Sequence, residues 1–279
     1  MSFFTFGSLD ELRSFLGRKI HPQVVEEVEY FVMERFPIKK VLFTAEHAVS
    51  KEIPMKEYGK NAYIVIGDKN TDTLAKLAAY YIKSAYVATL FSRIDADAAR
   101  DTMELGKGLR LFVRVFNSEK QPSIYVPIHS NKSYLSNLRR YHRVIEELNP
   151  KTIISIHGMH VGRKFDMLFG FDKNYGGIGG KENAFRFKRE FISFLDGVFS
   201  ELGIRNNLEI AVSTWLFTGS RNYVLTKHVI EHNKKSKEKR IGMQVEFNWK
   251  GRVGEIAIPT IPYQVAVQAL ADFITKWKM

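Results

Sequence analysis

The chain has no cysteine in 279 residues. That excludes disulfides, thiolate metal sites and a cysteine nucleophile, so any metal must rest on histidine and carboxylate ligands. Long apolar runs are missing too: none approaches the roughly 18 residues of a spanning helix, and no charged start leads into an apolar signal core. A soluble, cytoplasmic protein with no membrane partner is expected. No internal repeat or linker interrupts the chain, so residues 1–279 are expected to form a single domain. No basic zipper or aromatic RNA-binding signature occurs, and nucleic acid is not the expected partner.

What is abundant points elsewhere. With 45% hydrophobic and 13% aromatic residues, the chain can bury a large core without staples. Its 42 Lys and Arg against 30 Asp and Glu give a net charge of +12, which favours anionic ligands. Part of that charge lies in Asn233 to Arg240, read as a solvated loop. Nothing in the sequence sets the oligomeric state.

Apolar periodicity alternates between strand and helix along the chain. Val24, Val25, Val28, Phe31 and Val32 fall at helical spacing and predict a helix over His21 to Phe36. Strands are expected at Lys40 to His47, Tyr86 to Ser92, Ser123 to Ile128, Lys151 to His157, Lys164 to Phe171, Leu208 to Ser213 and Ile241 to Phe247. Helices are expected around Leu74 to Ile82, over Tyr134 to Leu148, in a long segment from Phe187 to Leu202, and after Pro262. Pro127 suggests an edge position or a strand end. Gly106 to Gly108 is expected to be a loop, and Gly176 to Gly180 a mobile connection. The alternation predicts an α/β fold with a mostly parallel or mixed sheet and helices on both faces. In such folds ligands bind beyond the carboxyl ends of the strands.

Two histidines, His47 and His157, stand at such ends. Close to His47, Glu46 and Glu52 offer carboxylates that can join a metal site. Arg93, Asp97 and Arg100 follow another strand, where a guanidinium can grip a substrate carboxylate bidentately. His160 shares the segment of His157. In Met243 to Phe247, alternation sends Gln244 and Glu246 to one side and Val245 and Phe247 to the other. A carboxylate in a buried strand demands a partner.

In order and approximate spacing these segments resemble the N-formylglutamate amidohydrolase family. Glu46-His47-Ala48 with Pro54 resembles its opening turn, and Asp68 followed by Ala75 resembles the start of its first helix. Ser92-Arg93-Ile94 with Asp97 and Arg100 is similar to its arginine signature, with Ala99 where an asparagine is expected. Tyr141-His142, His157, Phe165 to Asp172, His232 and the Gln244/Glu246 pair resemble its later motifs. The likeness spans about residues 40 to 250.

The resemblance implies an amidohydrolase-like domain of the phosphorylase/hydrolase-like fold, related to zinc carboxypeptidases, with one Zn2+ per chain. It implies cleavage of an N-acyl, for instance N-formyl, amino acid or a similar small carboxylated amide by metal-activated water. His47 and His157 would be two metal ligands. The third would be Glu52, which shares a loop with His47, or Asp68, which matches the family position. Glu246 would be the general base with Gln244 orienting it, and Arg93 and Arg100 would hold the substrate carboxylate with Asp97 orienting Arg100. His160 joins the substrate-binding set; His142 is left out. Two other readings stay open: a γ-glutamyl or peptide hydrolase of the same fold, and a non-catalytic relative binding anions or nucleic acid.

Overall fold

The computed structural model describes residues 2–32, 41–56, 62–93, 95–100, 109–115, 123–126, 132–159, 164–214, 218–219, 222–253 and 258–279. At 51–52, 62–66, 109–115, 123–126 and 132–134 the description extends to the backbone alone. His160, Pro127 and the Gly106 to Gly108 segment lie outside the described residues.

The chain opens with a helix, α1 (Leu9–Lys19), that carries a complete capping box: the Ser8 hydroxyl accepts from the Glu11 amide, and the Glu11 carboxylate accepts from the Ser8 amide. A hairpin follows, β1 (Gln23–Val25) and β2 (Val28–Val32), where a helix was expected. Val24, Val25, Val28 and Val32 are β-branched and satisfy a strand as well as a helix, and β2 pairs antiparallel with a later strand of the main sheet. The turn is made by Glu26 and Glu27 at φ 50° and 57°, a conformation that glutamates seldom take and that no local sequence cue announces.

Next come β3 (Val41–Ala45), β4 (Lys51–Pro54), β5 (Ala62–Ile66), α2 (Thr71–Tyr81), β6 (Ala85–Thr89), β7 (Leu109–Val115), β8 (Ser123–Val126), α3 (Lys132–Leu148), β9 (Thr152–Met159) and β10 (Met167–Gly170). The Gly176 to Gly180 stretch is not a loose connection. Residues 176–178 form a 3-10 turn with Gly177 and Ile178 buried, and a Cβ on Gly177 would lie 2.2 Å from the Gly242 carbonyl oxygen. The remainder is α4 (Lys181–Glu201), β11 (Ile210–Val212), α5 (Tyr223–Leu225), a π-helical turn over Thr226–Glu231, α6 (His232–Lys235), β12 (Ile241–Asn248), α7 (Trp249–Val253) and α8 (Ile261–Lys276).

Eight strands form one mixed sheet in the order β1-β2-β6-β3-β9-β12-β10-β11. Its centre, β6-β3-β9-β12, is parallel throughout, while β2 and β10 enter antiparallel on either side. A separate antiparallel sheet runs β4-β5-β7-β8; of its strands, only β8 was expected. Among the described residues no helix is long and apolar enough to cross a membrane.

The main sheet has two unequal faces. On one, Phe43, Ala45, Ile154, Ile156, Met243, Val245 and Phe247 are fully apolar and pack with α2, α4 and α8. On the other, Leu42 and Ile153 join Leu138, Tyr141 and Ile145 of α3 in a smaller cluster. Farther along the same strands that face turns polar. Thr44, Ser155, His157, Gln244 and Glu246 stand there, all buried. Parallel register puts Gln244 opposite Ser155 and Glu246 opposite His157, so period-two alternation delivers four polar groups side by side.

Candidate metal centre and active site

His47 leaves the end of β3 and meets Asp68 across a loop that folds back on itself. Gly67 makes this possible: it sits at φ 89°, and a Cβ there would fall 1.9 Å from the Val49 carbonyl oxygen, so only glycine fits. The Asp68 amide then donates to the His47 carbonyl at 2.6 Å.

Three atoms converge as a result. Asp68 Oδ2 is 3.2 Å from His47 Nδ1 and 3.4 Å from His157 Nδ1. One ligand atom from each of these residues lies within 4.8 Å of the others. Two ligands about 2.0–2.1 Å from a tetrahedral ion stand roughly 3.3 Å apart, so the two contacts made by Asp68 are compatible with a shared divalent cation. Asp68 is thus the carboxylate brought together with both histidines. Glu52 lies on β4 in the separate sheet, paired with Val65.

Each histidine turns its second ring nitrogen to a buried carboxylate. Asp97 Oδ1 is 2.7 Å from His47 Nε2, and Glu46 Oε2 is 3.2 Å from His157 Nε2. Carboxylates in this position fix the tautomer and ring orientation of metal-binding imidazoles. Asp97, expected in the substrate-binding set as the residue that orients Arg100, is completely buried with both oxygens engaged. Oδ1 also accepts from the Ala99 amide, and Oδ2 meets Arg93 Nε at 2.9 Å and Arg100 Nε at 3.3 Å. The two arginine side chains remain 28% and 26% exposed, and the contacts to Asp97 use Nε.

The electrostatics suit a cation. Burial would raise the Asp68 carboxyl, yet hydrogen bonds from His157 and His47 and the nearby Arg252 hold it well below its usual range. Burial would likewise raise Asp97, but Arg93 and His47 depress it strongly. Burial would lower His157, and Glu46 and Asp68 instead push it well above the ordinary imidazole value. Glu246 behaves oppositely to its fellow carboxylates: burial dominates and raises it, against the pull of His157. Its Oε1 accepts from Gln244 Nε2 at 2.5 Å, while Oε2 is buried without a hydrogen-bond partner among the described residues. Four buried carboxylates around two imidazoles form a donor set that fits a divalent ion, since uncompensated buried charge is costly.

Several contributing residues carry no sequence signal of their own. Asn222 Nδ2 donates to Ser155 Oγ at 2.8 Å and to Gln244 Oε1 at 3.1 Å, and lies 3.0 Å from His157 Nε2. Its Oδ1 caps α5 by accepting from the Val224 and Leu225 amides. Arg252, 2% exposed, donates to the Lys69 carbonyl beside Asp68, and Asn70 donates back to the Arg252 carbonyl at 3.1 Å. A Cβ on Gly158 would sit 2.2 Å from the Arg252 guanidinium, so the residue after His157 must be glycine for this arginine to pass. His142 pairs with His228 at 3.0 Å, and His232 is at an exposed contact with the Glu238 carbonyl.

Comparison with known proteins gives the fold independent support. No family model and no curated protein sequence matches the chain. Among solved structures, an N-formylglutamate amidohydrolase from Ralstonia eutropha aligns over 90% of this chain and 99% of its own, with a TM-score of 0.53 and 12% identity. A gene product of Agrobacterium tumefaciens aligns over 90% of this chain and 92% of its own, with a TM-score of 0.51 and 15% identity. The chain shares its mixed-sheet α/β fold with these proteins, as the sequence resemblance implied. Identities this low speak for architecture alone.

Proposed function

We propose that this chain is a zinc-dependent amidohydrolase, with one ion per chain, acting on a small carboxylated amide such as an N-acyl or N-formyl amino acid. The observation that carries the reading is the convergence of His47, Asp68 and His157 with ligand atoms at metal-site spacing. The fold shared with a protein named N-formylglutamate amidohydrolase supports it.

The residues divide the work by chemistry. His47 Nδ1, His157 Nδ1 and Asp68 would hold the ion, which when bound supplies Lewis-acid polarisation and acidifies water to roughly neutral pKa. Glu246 takes a proton from the attacking water and returns it to the leaving amine; its raised pKa suits both acts. Gln244 holds one Glu246 oxygen and leaves the other available. Arg93 draws the substrate carboxylate: burial opposes its charge, but Asp97, Asp68 and Glu246 strengthen it. Arg100, tied to the same Asp97, gives a second cationic contact. Ala99 leaves no side-chain amide between them, so recognition at this position falls to the arginines.

Purified protein should contain about one zinc per chain and release formate from N-formyl amino acids. Failure to bind metal after reconstitution would exclude the reading. Cleavage of a γ-linked peptide with no formate released would move the substrate to the peptide class.

A further inference from the structure

The buried carboxylate of Glu46 has no part in the chemistry above, yet it is one of the most closely enclosed polar groups in the protein. It is 1% exposed at the base of the site. Both neighbouring hydroxyls donate to Oε1, Thr44 Oγ1 at 2.7 Å and Ser155 Oγ at 2.8 Å. Tyr141, completely buried, closes the pocket from α3; burial and the adjacent Glu46 charge push its phenol well above the usual range. Oε2 forms no hydrogen bond among the described residues and faces the His157 ring, 3.2 Å from Nε2.

We infer that Glu46 is the positioning residue that keeps the ring proton of His157 on Nε2 and so reserves Nδ1 for the cation. This rests on the function proposed above, and the argument is an accounting of hydrogens. Asn222 Nδ2 has two hydrogens and three neighbours within reach: Ser155 Oγ, Gln244 Oε1 and His157 Nε2. If Asn222 donates to His157, the ring proton of the neutral imidazole moves to Nδ1, opposite Asp68, where it blocks coordination. If Glu46 accepts from Nε2, both Asn222 hydrogens go to Ser155 and Gln244. Ser155 and Thr44 then donate onward to Glu46, and Gln244 donates to Glu246. A carboxylate only accepts, and Glu46 therefore decides between the two arrangements.

Glu46→Gln separates them, because an amide can donate to Nε2. Two readouts are needed: zinc affinity by competition with a chromophoric chelator, and the His157 tautomer by side-chain 15N NMR on the metal-free protein at a pH where the ring is neutral. The wild type should show a protonated Nε2. The variant should shift toward a protonated Nδ1 and lose zinc affinity by about 10- to 100-fold, the usual loss when such a partner is removed. Unchanged affinity and tautomer in a folded variant would overturn the assignment. Should Glu46→Gln not fold, Glu46→Asp, which withdraws the carboxylate by one methylene, takes its place with a smaller loss in the same direction. Failure of the wild type to bind zinc would remove the proposed function, and the NMR tautomers would still decide the role of Glu46.

Discussion

The two histidines are supported in contrasting ways. Behind His47, Asp97 is braced by two guanidinium groups that reach toward solvent. Behind His157, Glu46 is braced by neutral hydroxyls inside the sheet and, among the described residues, pairs with no arginine. The first support is charge-compensated and adjoins the expected substrate entrance; the second is sealed and works by hydrogen-bond direction. One arm carries charge to the solvent, while the other is closed off from it. Asp68 touches both rings, which also meet edge to face with centroids 4.9 Å apart.

Removing that junction should have the largest effect. Asp68→Asn is expected to abolish stoichiometric zinc binding and hydrolysis together, measured by elemental analysis and formate release; retention of zinc would shift the third ligand elsewhere. Glu246→Gln should lower kcat by about 10²- to 10⁴-fold with zinc content unchanged, because it removes proton transfer and neither arm. Asp97→Asn should weaken zinc by about 10- to 100-fold and also release both arginines, so KM should rise as well. A rise in KM with unaltered zinc affinity would reduce Asp97 to an arginine anchor. Arg93→Lys should raise KM about 10-fold with zinc affinity intact, since an ammonium gives up bidentate geometry. If zinc affinity fell equally, the contrast between the arms would vanish.

The smallest effect is in stability against pH, where the arms have opposite signs in metal-free protein. Asp97 is held below its ordinary value of 3.8, so its contribution is complete above that value and disappears as pH falls through the depressed one. His157 is held above 6.5, so its contribution is complete below 6.5 and disappears as pH rises through the elevated one. Urea midpoints should therefore decline at strongly acid and at alkaline pH. Asp97→Asn should flatten part of the acid limb, to which the depressed Asp68 and Glu46 carboxyls also contribute, and Glu46→Gln should flatten the alkaline limb together with its own share of the acid one; an unchanged alkaline limb in Glu46→Gln would contradict its hold on His157.

The parts that could be read from sequence share a physical origin. The parallel strands β3, β9 and β12 are continuous apolar runs, and their buried polar exceptions, His157, Gln244 and Glu246, stand out against them. Alternation also placed Gln244 and Glu246 on one side, where the register confirms they sit. The β1–β2 hairpin was illegible because its valines satisfy two periodicities, and the deciding partner, β6, lies more than fifty residues away. Asp68 depended on family likeness, since its approach to His47 is made by a left-handed glycine and a backbone hydrogen bond. Glu46 was visible as a carboxylate beside His47, but the ring it faces is 111 residues farther on, across a strand pairing. Asn222 and Arg252 had no chance of selection: both are single polar residues whose partners come from remote segments.

Arg252 has a consequence in time as well as space. It fastens the Lys69 carbonyl from 183 residues away, next to the Asp68 that contacts both histidines. While the chain emerges from a ribosome, His47, Asp68 and His157 are all present long before this clamp is made. The loop that carries Asp68 is therefore fastened by a contact between segments far apart in sequence, and it closes with the tertiary fold and not before it.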